Sequence, residues 1–209
     1  MKNTIVILAN SVKHGAHCVA GKCIGTAQWV RPVSTPNGGA LSNDQIKYEN
    51  VHGTFFVKPL QNIEMTFSRA VPLINQPENF LITEDRWQQK FSTSPSSLSS
   101  YIDTPDSLWG SGDRVAFGDI ESGRVIINQS LFLVKVSQLN LYKNGTHRRA
   151  NFVYNGVPYD LAVTCPQFDF FLGAATAVNL GDRIVCISLG ESFMDYCYKL
   201  IASIFLNTK

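Results

Sequence analysis

Lysines and arginines recur beside aromatic residues in two stretches of this sequence that contain no aspartate or glutamate. The first stretch, residues 1–43, carries four basic residues, although the whole chain has a net charge of only +2. The second, residues 122–159, carries five basic residues among several aromatic ones. Basic groups attract phosphates and aromatic rings stack on bases, so both stretches are typical of a surface for single-stranded nucleic acid. The alternative is that the charges solubilise strand faces while the rings pack inward.

Seven residues of these two stretches are the ones that we expect to contact a nucleic acid or a nucleotide. They are Lys13, His17, Trp29, Arg31, Lys143, Arg148 and Arg149. Pro32 follows Arg31 and removes a backbone donor, which indicates that this segment is a strand at the edge of a sheet. The hypothesis requires that the two acid-free stretches, which are far apart in the sequence, form one cationic groove.

Polar side chains near the ends of predicted strands form a second set, a candidate pocket. Its members are Cys18, Ser34, Tyr159, Asp160, Glu191 and Lys199. Residues of these types perform acid–base and nucleophilic chemistry when they converge. An enzyme acting on a nucleotide or nucleic acid would use a cleft between the barrels, lined by Lys13, Cys18, Arg31, Asp160, Glu191 and Lys199. At least three of these groups must then meet in one pocket. Spacing does not show convergence, so we assign no catalytic residue and expect a binding protein rather than an enzyme.

Metal and cofactor sites are not expected. His14 and His17 lie near Cys18 and Cys23, but the region looks extended, where residues three apart point to opposite faces. The sequence contains no Walker loop, GxGxxG, GxSxG or HExxH pattern. The five cysteines lack CxxC spacing, which predicts reduced thiols and a cytoplasmic location. No stretch has the length of a membrane span, and the N-terminal apolar run is too short for a signal peptide.

Many short strands separated by turns predict a mainly β protein, either two small barrels or one sandwich. The alternating run over residues 131–141 is interrupted at Lys135, which predicts a β-bulge. Thr83 followed by acidic residues resembles a helix N-cap, so we expect a short helix over residues 83–91 and a second one near Leu98. We also expect a strand over residues 124–128. The segment from Tyr198 to Leu206 fits either a buried strand or a short helix.

Several short motifs together resemble the bacterial dual OB-containing domain (DuOB) family over nearly the whole chain. The motifs are Ser11–Lys13, residues 17–21, residues 29–34, Trp109-Gly110, residues 159–161, residues 188–191 and residues 197–202. The resemblance implies two OB barrels that bind nucleic acid or nucleotides, often encoded with defence or mobile genes. Where the family pattern has arginine before Cys18, this sequence has His17, which predicts a weaker or pH-dependent anion contact.

The predicted architecture is therefore two OB-like barrels with a short helical insertion. The first barrel is expected over residues 1–80, the insertion over residues 81–112 and the second barrel over residues 113–209. The leading hypothesis is a module that binds single-stranded nucleic acid. The alternatives are the enzyme described above and a protein-interaction subunit whose partner is encoded nearby.

Overall fold

A computed structural model describes residues 1–13 and 15–206, with only the backbone of Lys13 described. The chain forms two compact units, Met1–Tyr101 and Ile102–Lys209, so residues 81–112 are divided between them. Strands account for 56% of the chain and helices for 8%. The prediction of a mainly β fold is confirmed.

The first unit contains a closed ring of five strands. These are β1 (Lys2–Lys13), β2 (Ala16–Cys23), β3 (Trp29–Val33), β6 (Gln61–Ala70) and β7 (Asn79–Ile82). Neighbours follow the order β1-β2-β3-β7-β6, and β6 pairs again with β1 to close the ring. Only β3 and β7 run parallel in this ring. This connectivity is the five-stranded Greek-key barrel of the OB fold.

Three further strands extend the first unit beyond the ring. They are β4 (Lys47–Asn50), β5 (Gly53–Phe56) and β8 (Trp87–Ser92), joined in the order β6-β8-β4-β5. The helix predicted over residues 83–91 is wrong, because Trp87 is buried in the barrel core and its strand pairs with both β6 and β4. The second helical prediction corresponds to a 3-10 helix over Pro95–Tyr101, whose Leu98 is buried.

The second unit repeats the same ring. Its strands are β10 (Leu131–Asn144), β11 (His147–Tyr154), β12 (Val157–Val163), β13 (Ala177–Phe193) and β14 (Tyr196–Phe205), with β9 (Arg114–Ala116) added on the outer side of β14. The order β12-β11-β10-β13-β14 closes through a parallel contact between β12 and β14. Both predicted OB barrels are therefore present.

Details of the second unit confirm some predictions and correct others. The register of β10 against β13 shifts between Val136 and Leu139, and Gln138 has a positive φ of 56°, so the predicted bulge is present just after Lys135. The final segment is the strand β14. Residues 124–128 are irregular, so the strand predicted there is wrong.

Two short helices complete the second unit, α1 (Phe117–Glu121) and α2 (Phe168–Leu172). Among the residues described, no helix is long and apolar enough to cross a membrane. Each barrel has its own apolar core, one including Ile5, Ile63 and Phe67 and the other Val134, Leu161 and Ile201.

Candidate nucleic-acid interface

The outer face of β10, β11 and β12 is an exposed surface rich in polar side chains. In an OB barrel the second and third strands of the ring, with the loop between the first and second, form the usual ligand face. Here those strands are β11 and β12, and the loop follows Asn144. Tyr142 pairs with Arg149, which pairs with Ala162, so these residues share one face. An open depression of about 590 Å³ lies here, lined partly by Asn144, Thr146 and His147.

Arg149 is held in place by Asp160 on the neighbouring strand. Its Nε donates to Asp160 Oδ1 at 3.0 Å, and its Nη2 donates to the Asp160 carbonyl oxygen at 2.8 Å. The Tyr142 hydroxyl donates to Asp160 Oδ2. This hydrogen bond raises the pKa of the Tyr142 phenol, because it favours the protonated form. The network fixes a guanidinium and an aromatic ring side by side at the surface.

Lys143 and Arg148 lie at the end of the β10–β11 hairpin, directly opposite each other in the register. Both contact Asp169 on α2: Lys143 Nζ is 3.1 Å from Oδ1 and Arg148 Nη2 is 2.5 Å from Oδ2. The hydrogen bond from Lys143 and the charge of Arg148 lower the pKa of Asp169. All three side chains remain 40–50% exposed.

The charge of this surface is more balanced than the sequence indicates. Three cations, Lys143, Arg148 and Arg149, face two carboxylates, Asp160 and Asp169, which leaves one positive charge in excess. His147 and Asn151 add exposed polar groups. Such a surface can contact phosphates through its cations and bases through its rings and amides. Arg149 therefore lies on the outer face with Tyr142, whereas Lys143 and Arg148, each one position further along its strand, point to the other side of the hairpin and contact Asp169 on α2.

The two most prominent predicted residues of the first half are buried. Trp29 is 6% exposed and Arg31 is 4% exposed, within a strand β3 that is buried along its whole length. Arg31 Nη2 is 3.6 Å from Glu78 Oε1, and the Arg31 backbone N–H donates to the Glu78 carbonyl. Lys22 Nζ lies 5.3 Å from the Trp29 ring centroid. A ring with this little exposure is not an open platform for base stacking.

His17 and Cys18 lie on β2, where Cys18 is an exposed free thiol. The ring nitrogens of His17 contact Asn10 Oδ1 at 3.0 Å and Asn43 Oδ1 at 2.8 Å. Ser34 donates to the Ala40 carbonyl and stabilises the turn after β3. The side chain of Lys13 and the whole of His14 lie outside the described residues. In the described part of the chain, no group of three or more His, Cys, Asp or Glu side chains is placed to share a metal ion.

Tyr159 and Lys199 converge on the loop that precedes β9. Lys199 is 1% exposed, and its Nζ donates to the carbonyl oxygens of Gly110, Ser111 and Gly112 at 2.7, 3.1 and 3.0 Å. The Tyr159 hydroxyl also donates to Gly110, and its ring lies 5.4 Å from Lys199 Nζ. Burial lowers the pKa of Lys199 to about 8. These two residues stabilise a loop.

The other members of the candidate pocket in the second unit do not join this pair. Asp160 follows Tyr159 on β12 and faces outward to Arg149, whereas Tyr159 is buried in the core. Glu191 is exposed near the end of β13. Tyr159 and Lys199 therefore meet at backbone carbonyl groups of the loop, and not at the other members of the candidate pocket in this unit.

Sequence reasoning missed Asp169 and the polar residues of the hairpin loop. Asp169 lies in an otherwise apolar segment, Phe168–Leu172. A single charged residue in such a segment is the feature of the sequence that indicates a functional or structural contact for Asp169. Asn144 and Thr146 flank Gly145 in a turn that was predicted, but nothing local indicates that they line a depression.

Two closed OB rings in one chain, one with an exposed polar face on β10, β11 and β12, define a protein with tandem OB domains. The dual OB-containing domain family (DuOB) matches residues 3–204, and the chain belongs to that family. A search of curated proteins returned no match. Among solved structures, one described as the crystal structure of the tetrameric p202 HIN2 aligns with 97% of this chain and 88% of its own at 7% identity and a TM-score of 0.36. A likeness at that level carries no argument about function.

Proposed function

We propose that this protein binds single-stranded nucleic acid through the exposed face of β10, β11 and β12. The observation that supports the proposal is the clustering of Tyr142, Lys143, Arg148 and Arg149 on and beside the face that OB folds use for oligonucleotides. Cations contribute most of the affinity for such ligands, and exposed rings tolerate any base sequence. Trp29 and Arg31 are not part of this proposed surface because they are buried.

The wider setting implied by the family resemblance is part of the proposal. In this proposal the chain is a bacterial cytoplasmic protein that is linked to defence or mobile elements and has a protein partner encoded nearby. The proposal does not require catalysis.

The decisive experiment replaces Arg149 with alanine and measures binding of a fluorescent oligothymidylate by anisotropy over a range of salt concentrations. Removal of Arg149 deletes one cation and leaves Asp160 uncompensated, so we expect about tenfold weaker binding and a salt slope reduced by about 0.7. The matched control is Arg124→Ala, because Arg124 is also an arginine paired with an aspartate, Asp119. Equal effects of both substitutions, or no binding by the wild type, would contradict the proposed surface.

A further inference from the structure

Asp169 bridges two cations at the edge of the proposed nucleic-acid face. Its two carboxylate oxygens each contact a different partner, Oδ1 with Lys143 and Oδ2 with Arg148. Arg148 is also positioned from one side, since its guanidinium carbon lies 5.7 Å from the centroid of the Phe168 ring. The two cations are therefore held around one anionic group rather than dispersed in solvent.

A carboxylate resembles the anionic part of a phosphodiester. Each presents two oxygens that share one negative charge, and each accepts charge-assisted hydrogen bonds from lysine and arginine. A backbone phosphate can therefore contact Lys143 and Arg148 with the same pattern that Asp169 now uses. The exposure of all three side chains means that the carboxylate can be displaced with little desolvation.

The position of these residues relative to the ligand face supports such an exchange. Lys143 and Arg148 flank the turn after Asn144, which is the loop between the first two strands of the ring, and Arg148 lines the same depression as Arg149. Asp169 comes from α2, which lies between β12 and β13 in sequence and is not part of the sheet. Because successive strand residues point to opposite faces, Arg148 leaves β11 on the side of α2 rather than on the side of Arg149. A nucleic-acid strand that follows β11 to the end of the hairpin would meet Lys143 and Arg148 there, at the edge of the face.

We propose that Lys143 and Arg148 form a subsite for one backbone phosphate of the bound strand, and that Asp169 occupies this subsite in the free protein. The inference rests on the proposed function and adds a location for a phosphate and an internal competitor for it. Asp169 lowers the affinity of the face for any polyanion, so that weak or short ligands are rejected.

The test is Asp169→Asn, which keeps the shape of the side chain and removes its charge. The probe is a fluorescein-labelled oligothymidylate of about 16 nucleotides, a length that can fill an OB face. Without the competing carboxylate, we expect binding about three- to fivefold tighter, with a salt slope steeper by about 0.7. Thermal melts of both proteins verify that the variant is folded.

The matched control is Asp195→Asn. Asp195 lies in the two-residue turn between β13 and β14 with a φ of 64°, which asparagine also tolerates, and the substitution changes the net charge by the same amount. Tighter binding by the Asp169 variant alone supports the subsite. An equal gain in the two variants identifies a general charge effect and overturns it.

A second arm repeats Asp169→Asn in a protein that already carries Lys143→Ala and Arg148→Ala. The gain is expected to disappear there, because no cations remain to be released. A gain that persists in this background overturns the subsite. Wild-type binding with an unchanged affinity in Asp169→Asn overturns the subsite alone, whereas an absence of binding in every protein overturns the proposed function as well.

Discussion

Buried lysines are costly unless their charge is compensated, and Lys199 shows how this chain compensates one. Its ammonium group lies in the second unit against three consecutive backbone carbonyls, those of residues 110–112. The side chain therefore replaces water as the partner of a loop that has no regular structure. Trp109 and Gly110 both have positive φ angles, of 53° and 84°, so this loop requires such support.

Replacement of Lys199 by methionine is expected to lower the free energy of unfolding by about 2 to 4 kcal/mol. The variant keeps the apolar stem but removes the Lys199 donor from the carbonyls of Ser111 and Gly112, and leaves Gly110 with the Tyr159 hydroxyl alone of these two donors. Urea denaturation followed by fluorescence measures the loss. Lys135→Met is the control, since Lys135 is exposed on β10, and a change of less than about 0.5 kcal/mol is expected there. Similar losses in the two variants would contradict the role of the carbonyl contacts.

The pKa of about 8 for Lys199 gives this loss a pH dependence. Between pH 8 and about 10.4, the unfolded chain holds a proton on this lysine that the folded chain has released. The free energy of unfolding of the wild type therefore rises with pH across this window, relative to the methionine variant. The difference between the two proteins is constant below pH 8 and widens above it. A difference that stays constant up to pH 10 would show that the pKa of Lys199 is not lowered.

Residue types and spacing could predict which side chains carry charge but not which charges meet. The acid-free stretches are a property of the linear sequence, and in the fold Glu78, Asp160 and Asp169 arrive from outside them to pair with Arg31, Arg149 and Arg148. Burial is likewise a tertiary property, so Trp29 was predicted on a surface and is enclosed. The basic hairpin around Asn144 could be predicted from the local sequence, because its basic residues and its turn are adjacent in the chain.

At the scale of secondary structure, strands with clear alternation and strong turns were predictable. The bulge of β10 and the two hairpins signalled by Asn144-Gly145 and Asn155-Gly156 follow from local patterns, although the loop of the first hairpin is Gly145-Thr146, because Asn144 pairs with His147. The segment after Thr83 was not, because its cap-like pattern forms a turn instead, in which Asp85 N–H donates to Thr83 Oγ1 at 3.3 Å. Contacts with β6 and β4, which are distant in sequence, then determine that Trp87 lies in a strand.

The close approach of β1 and β2 depends on Gly21. A Cβ at this position would lie 2.0 Å from the Val6 carbonyl oxygen and 2.8 Å from Ile5 Cγ2. Gly21→Ala is therefore expected to destabilise the first unit by about 3 kcal/mol or more, because the strands must separate. Gly25→Ala is the control, since a Cβ added there would meet no atom within 4 Å, and a change of at most about 1 kcal/mol is expected. Comparable denaturation midpoints for the two variants would contradict this interpretation of the barrel.

At the scale of the whole molecule, the two rings are self-contained. Each closes through its own strand pairs and encloses its own apolar core. The order of strands around each ring depends on a parallel contact between segments far apart in sequence, which periodicity alone does not reveal. The pair of barrels was predicted from the family motifs, several of which lie where the structure needs special contacts, such as Trp109-Gly110, Tyr159 and Lys199.

Independent cores predict independent responses to mutation. We expect Gly21→Ala to increase amide hydrogen exchange in β1, β2 and β6 while β10 and β13 keep their protection, and Lys199→Met to do the reverse. Exchange measured by mass spectrometry on peptides from the chain containing both units separates the two patterns. A loss of protection in both units from either substitution would show instead that the chain unfolds as one cooperative body.

The second ring is shut by the contact between β12 and β14, which comprises just two residue pairs, Ala162 with Leu200 and Val163 with Ile201. Every other junction in that ring has more paired positions. Because this contact has the fewest paired positions in the ring, we expect thermal opening of the barrel to begin beside β12. Since β12 carries Asp160, an opening between β12 and β14 displaces the partner of Arg149, and we expect the proposed nucleic-acid face to adapt in this way to the path of a flexible polymer.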